Sequence, residues 1–305
     1  MGIPGQDAVP KIADESIPMT FLRVLSRPYL RATALLCIAS IARNFFLLQY
    51  RAAFLPGRVP VTRVDHPLDR QIPFLPGRVR TYLDFVAFWI RTVGFLLRTH
   101  SRGIFEQVRN FLETMGGLYA FAAEVYRKNF STTDRPFYIR HPRFLLIHLV
   151  DPHLMCIPSL HVMIVIRTYT LFREIIKSLH EEDRFASQIG ELYRGALAIT
   201  EAVLYVKQHS VNCISAAMYA MSMFEPALFP QAEAERFVSD LFSDAGYLVP
   251  LNGAEKGQVA GEIREHILSL YRRFAASCPG RGEKAGDNPD WTEPLLVFLK
   301  EQAVS

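Results

Sequence analysis

Six stretches of helical length, each rich in apolar residues, run through residues 32–50, 82–97, 111–126, 160–177, 191–206 and 210–224. A chain that repeats this pattern buries its apolar faces by packing helix on helix, so an all-α bundle is expected. The first stretch, Ala32–Tyr50, is long enough to cross a hydrocarbon core and is apolar apart from Arg43 and polar side chains such as Ser40, Asn44 and Gln49. The second carries Asp84, Arg91 and, seven residues on, Arg98 along one face, and later ones carry Glu124, Arg167, Arg194 and Glu201. Such residues line a polar interior when a bundle sits in a membrane, and form the wet face when it does not. Half of the residues are hydrophobic, and the mean hydropathy of +0.11 lies above that of most soluble proteins and below that of mainly membrane-spanning chains.

The resulting expectation is a membrane-embedded six-helix core over residues 29–225, preceded by an N-terminal segment 1–28 and followed by a helical extension 226–305. Pro226 and Pro230 break the pattern before an acidic helix at Gln231–Ser243. An amphipathic helix over Glu255–Ala275 follows, with Ile263, Ile267, Leu268, Leu270 and Tyr271 as a stripe that docks on the core. Cys278–Asp290 reads as a flexible linker and Trp291–Gln302 as a short terminal helix. Met1–Pro18 has no basic segment leading into an apolar one, so no secretory signal is expected there, and Gln6 stands where a myristoylation site needs Ser or Thr.

The net charge is +4, and the basic residues lie beside apolar stretches instead of in a run. That distribution suits an anionic lipid surface or a phosphorylated ligand, not nucleic acid. Cys37, Cys156, Cys213 and Cys278 are scattered without a CxxC pair, so free thiols are expected. His148, His153 and His161 lack an acidic or cysteine partner at metal-ligand spacing, and no metal or cofactor is expected. Phe54-Leu55-Pro56-Gly57-Arg58-Val59 recurs as Phe74-Leu75-Pro76-Gly77-Arg78-Val79, a local duplication whose Pro-Gly pairs favour turns.

Three polar motifs follow one another in the middle third: Lys128 with Arg135-Pro136, then Pro158-Ser159-Leu160-His161, then Lys207-Gln208-His209. Two histidines with fixed cations are the parts that phosphoryl transfer needs, because the transferred group spreads negative charge over its oxygens while one side attacks and the other receives a proton. The order and spacing resemble the type 2 phosphatidic acid phosphatase (PAP2) superfamily, which includes bacterial acid phosphatases and vanadium haloperoxidases. Its first motif, Lys, six residues, Arg-Pro, is matched in full. The second, Pro-Ser-Gly-His, is matched at three of four positions, with Leu160 in place of glycine. Of the third, Ser-Arg, five residues, His, three residues, Asp, only His209 is kept; Ala202, Val203 and Cys213 fill the other places.

The resemblance implies that His209 is the nucleophile and His161 the proton donor, with Lys128, Arg135, Ser159 and Lys207 holding the phosphate oxygens. Lys207 substitutes in this picture for the absent arginine, and Glu201 or Asp151 for the absent carboxylate on His209. The implied activity is a metal-independent phosphatase or phosphotransferase acting on a lipid phosphate, lipid diphosphate or other phosphate ester, in a protein integral to the cell membrane. A catalytically weakened scaffold or binding protein that keeps the fold is the alternative, motivated by Val203 and Cys213.

Overall fold

The computed structural model describes residues 10–54, 57, 59–100, 102–250, 255–278 and 290–304. The chain is about three quarters helical. In order, the helices are α1 (Ile17–Leu25), α2 (Pro28–Ile41), α3 (Leu48–Phe54), α4 (Val79–Thr99), α5 (Phe105–Lys128), α6 (Pro142–Val150), α7 (Leu160–Ser178), α8 (Glu182–Tyr205), α9 (Val211–Phe224), α10 (Gln231–Asp240), α11 (Lys256–Ser277) and α12 (Glu293–Val304). A π-helical turn, Ala42–Leu47, joins α2 to α3 as one rod over Pro28–Phe54. All six expected core helices form, most extended by a few residues, and α1 and α6 are additions. The first copy of the duplication is only partly within the described residues, as is the Cys278–Asp290 linker.

Two helices occupy the centre. Val162 through Phe172 of α7 and Val211 through Met221 of α9 are buried at every position, the signature of helices surrounded on all sides. α7 packs against α4, α5, α8 and α9, and α11 covers the far side of α9. Ile263, Ile267, Leu270, Tyr271 and Phe274 of α11 are buried in that contact, so the C-terminal extension completes the core.

Several of the charges inside these helices have protein partners. Asp84 and Arg91 pair along α4 at 2.9 Å. Glu15, itself buried, meets Arg98 and also Arg23 at 3.2 Å, which pins the segment before α1 to α4. Arg167 pairs with Glu225 at 3.3 Å, and Glu124 accepts a 2.7 Å bond from Trp291 Nε1. Charged faces met in this way do not need a polar channel. Among the described residues one helix, Pro28–Phe54, is long and apolar enough to cross a membrane, where the sequence suggested up to six.

The rod runs beside α5 in the same direction, with Tyr29 beside Glu106 and Asn44 beside Arg127. Close approach depends on Gly116, where a Cβ would lie 3.3 Å from Cys37 Cα, and Ser40 Oγ donates to the Gly116 carbonyl at 2.6 Å. A short parallel pair, β1 (Val61–Arg63) with β2 (Phe130–Thr132), is a minor departure from an all-helical fold. It ties the loop after α3 to the residues after Lys128. Ser131 also bridges to Met155, bringing the approach to α7 alongside.

Candidate functional site

His161 and His209 are held by two different helix-end devices. Ser159 takes an extended conformation as the N-cap of α7, which puts His161 in the first turn. His209 lies in the turn between α8 and α9. There Lys207 adopts φ +55°, the left-handed conformation that ends a helix, while its amide bonds to the Leu204 carbonyl and the Gln208 amide to the Val203 carbonyl. The His209 amide shares the Val203 carbonyl at 3.2 Å. Ser210 then caps α9, accepting from the Asn212 amide at 3.3 Å, and Cys213 Sγ accepts from the Ser210 amide at 3.4 Å. Cys213 therefore serves the helix cap.

These devices bring the rings together: His209 Nε2 lies 3.2 Å from His161 Nδ1. Tyr82 and Phe85 of α4 sit against the His161 ring, with centroids 4.7 and 4.2 Å away. Burial, reinforced by the His209 imidazole, holds His161 well below the usual histidine range, so it is neutral at pH 7. At this distance one ring nitrogen donates and the other accepts. His209 Nδ1 and Ser159 Oγ are buried and have no hydrogen-bond partner among the described residues.

Arg135 reaches the same region. Its guanidinium donates to Gln208 Oε1 at 3.1 Å and to the Asp151 carbonyl at 3.0 Å, bracing the residue before His209. Arg135 and Lys207 both line an open cleft of about 710 Å³, together with Arg63, His66, Arg70 and Phe74. Lys207 does not point freely into it: its ammonium donates to the carbonyls of Asp69 and Ile72. Burial lowers its pKa, an effect that the nearby carboxylates of Asp69 and Asp65 oppose.

Three expectations are corrected. Lys128 does not converge on the histidines; its ammonium is bound by Asp290 at 2.6 Å and Thr292 Oγ1 at 2.8 Å, both from the C-terminal extension. That bond, with a second from Thr292, holds the Asp290 carboxyl down at about 2. Neither candidate carboxylate reaches His209. Asp151 Oδ1 accepts from the His153 amide at 2.8 Å, and Glu201 accepts from the Phe242 amide at 2.6 Å.

Several contributors escaped the sequence. Asp69 accepts from the Val211 amide at 3.0 Å and the His66 amide at 2.7 Å, which places a carboxylate at the α9 N-terminus. His153, at φ +62°, sits 2.8 Å from Thr133 Oγ1 and 3.8 Å from the buried Cys156 sulfur. Nearness to the second motif hinted at His153 and Cys156; nothing in the sequence pointed to Asp69. Among the described residues, no group of three or more His, Cys, Asp or Glu side chains is placed to hold a metal ion. In comparisons with known proteins the chain matches no family model, no curated protein and no solved structure.

Proposed function

We propose that this chain is a phosphatase or phosphotransferase of the PAP2 type, acting without a metal on a phosphorylated lipid or a related phosphate ester. The observation that carries the reading is the 3.2 Å contact between His209 and His161, two motif residues brought together from opposite ends of different helices. In the first step His209 Nε2 attacks phosphorus, the bond from phosphorus to the leaving oxygen breaks, and His161, held as imidazolium by the negative charge of the bound phosphate, gives that oxygen its extra proton. In the second, His161 takes a proton from water as its oxygen attacks the phosphohistidine, releasing phosphate and restoring His209. Burial disfavours the His161 cation in the free protein, so in this reading it forms only with the phosphate charge beside it and is restored when water gives up its proton. Ser159 Oγ, the first turn of α7 and Arg135 supply donors for the phosphoryl oxygens, and Lys207 adds charge on the side of the cleft. Membrane attachment rests in this reading on the Pro28–Phe54 rod, the segment with the length and composition to enter a bilayer.

A second reading, a binding or scaffold protein on the same fold, is favoured by the pairing of Lys128 with Asp290 and by the absence of a carboxylate on His209 among the described residues. Phosphate release from phosphatidic acid and from an isoprenyl diphosphate, measured in EDTA, separates the two. Release that falls at least about a hundredfold in both His209→Ala and His161→Ala supports the enzyme. A folded wild-type protein that releases no phosphate from either substrate supports the scaffold.

A further inference from the structure

Apolar side chains left uncovered are concentrated in two places. Of the 23 large hydrophobic side chains exposed among the described residues, eleven lie within residues 19–54 and six within 137–150. Leu36 and Leu149 are each 71 % exposed, and Phe137 is 80 % exposed. A soluble surface tolerates such residues singly, but seventeen in two segments mark a contact surface.

The two segments are joined. The Tyr50 hydroxyl of α3 donates to the Val150 carbonyl at the end of α6 at 2.8 Å. At the other end, Phe21 and Leu25 of α1 share a shallow apolar hollow with Ile38 of α2. Charge follows the same boundary. Residues 19–54 and 137–150 hold seven of the 34 basic residues, all arginine, and none of the 30 acidic ones, so the rest of the chain is net −3. Arg31, Arg43, Arg51, Arg140 and Arg143 are exposed.

We propose that α1, the Pro28–Phe54 rod and α6 form a docking face that lies flat on an anionic phospholipid bilayer. Apolar side chains enter the boundary between headgroups and acyl chains while the arginines meet lipid phosphates. A flat rod, not a crossing one, follows from its neighbour. α5 runs alongside in the same direction and exposes Glu106 and Glu113, whose side chains are 59 % and 50 % exposed. A rod crossing the hydrocarbon would carry both carboxylates into it. α6 also packs through Phe144 against Phe74, with rings 5.6 Å apart, and Phe74 lines the 710 Å³ cleft. Docking therefore sets the cleft beside the lipid surface. This inference does not depend on the histidine chemistry, and its test reads no activity.

The full chain is floated with vesicles of phosphatidylcholine alone and of phosphatidylcholine with phosphatidylserine, at low and high salt, beside Leu146→Asp/Leu149→Asp and Arg140→Gln/Arg143→Gln. Urea midpoints verify that each variant is folded, and sedimentation reports its oligomeric state. The expected result is recovery with the anionic vesicles, at least about tenfold less on neutral vesicles or at high salt, and a similar loss in both variants. The arginine pair is exposed and keeps the test decisive if the leucine variant fails to fold. Equal recovery on neutral vesicles, binding that resists alkaline carbonate as a crossing helix does, or a lipid-free dimer that the leucine variant disperses would each overturn the proposal.

Discussion

Lowering the pH below about 6.5 destabilises this protein in part through one stacked histidine pair. His266 of α11 lies against His66 with ring centroids 3.8 Å apart, and its Nε2 bonds Asn212 Oδ1 at 2.8 Å. Burial, followed by the charge of His66, pushes the His266 pKa down to about 4, and burial also lowers that of His66. The unfolded chain binds a proton at His266 near pH 6.5, whereas the folded chain does not until about 4. The unfolded state therefore carries more protons throughout that window, and stability is lost as pH falls from about 6.5 to about 4. The shift corresponds to roughly 3 kcal/mol at the lower limit, reduced to about 2 kcal/mol because the ring is partly exposed and screened. At about pH 5 the loss is about 1 kcal/mol. Urea unfolding of the wild type and of His266→Gln at about pH 7.5, 6 and 5 measures it. The variant is less stable at about pH 7.5, having lost the stack, but its stability falls less steeply. His148 and His161, whose pKa values are lowered mainly by burial, leave it a residual slope. Identical pH slopes in the two proteins would refute the argument.

Three further substitutions test other contacts. A Cβ at Gly195 of α8 would lie 2.6 Å from Phe88 Cε2; overpacking outweighs the gain in helix propensity, so Gly195→Ala lowers stability by about 1 kcal/mol. Adding Phe88→Leu recovers part of that loss, and strictly additive effects on the urea midpoint would count against the contact. Arg135→Lys keeps the charge but loses the fork that spans Gln208 and Asp151; kcat/KM for phosphate release falls by about tenfold or more, and an unchanged value removes Arg135 from the site. Asp290→Asn breaks an exposed ion pair and changes stability at neutral pH by less than about 1 kcal/mol. The wild-type contribution is present above the ordinary Asp pKa and is lost as pH falls towards about 2, so the two proteins converge in acid. Continued divergence there contradicts the assignment.

The helices were legible because their evidence is local. Apolar residues recurring along α4, α5, α7 and α8 state both the element and its buried face. α1 and α6 were not, because Ile17–Leu25 and Pro142–Val150 are nine-residue segments too short for a period to stand out, and each is placed by a partner distant in sequence. The site divides along the same line. The histidines and Arg135 were recognisable by type and spacing, and the structure gathers them. Lys128 was equally recognisable, yet its partners stand 162 and 164 residues away, and no local pattern encodes that pairing. Cys213 and Val203 read as losses in sequence. In the fold one accepts the Ser210 amide and the other lends its carbonyl to the amides of Gln208 and His209, contributions made by a sulfur and a backbone atom instead of by the chemistry that motif comparison scores.

The C-terminal extension reaches the candidate site from two directions. Asp290 and Thr292 hold Lys128, and Trp291 between them stacks on Phe121 of α5 at 3.8 Å, bonds Glu124, and receives the Tyr219 hydroxyl of α9 on its carbonyl. His266 meanwhile bonds Asn212 in the first turn of α9, three residues after His209. Thus the lysine of the first motif and the helix that follows the third are both positioned by residues beyond 226. Lys128 is held by one exposed bond, to an Asp290 carboxylate that stays ionised down to about pH 2, and by one part-buried bond to the buried Thr292. Lys128 therefore acts in this fold as the anchor that holds the C-terminal extension to the end of α5, a contribution set by partners more than 160 residues away and not by the motif in which it stands.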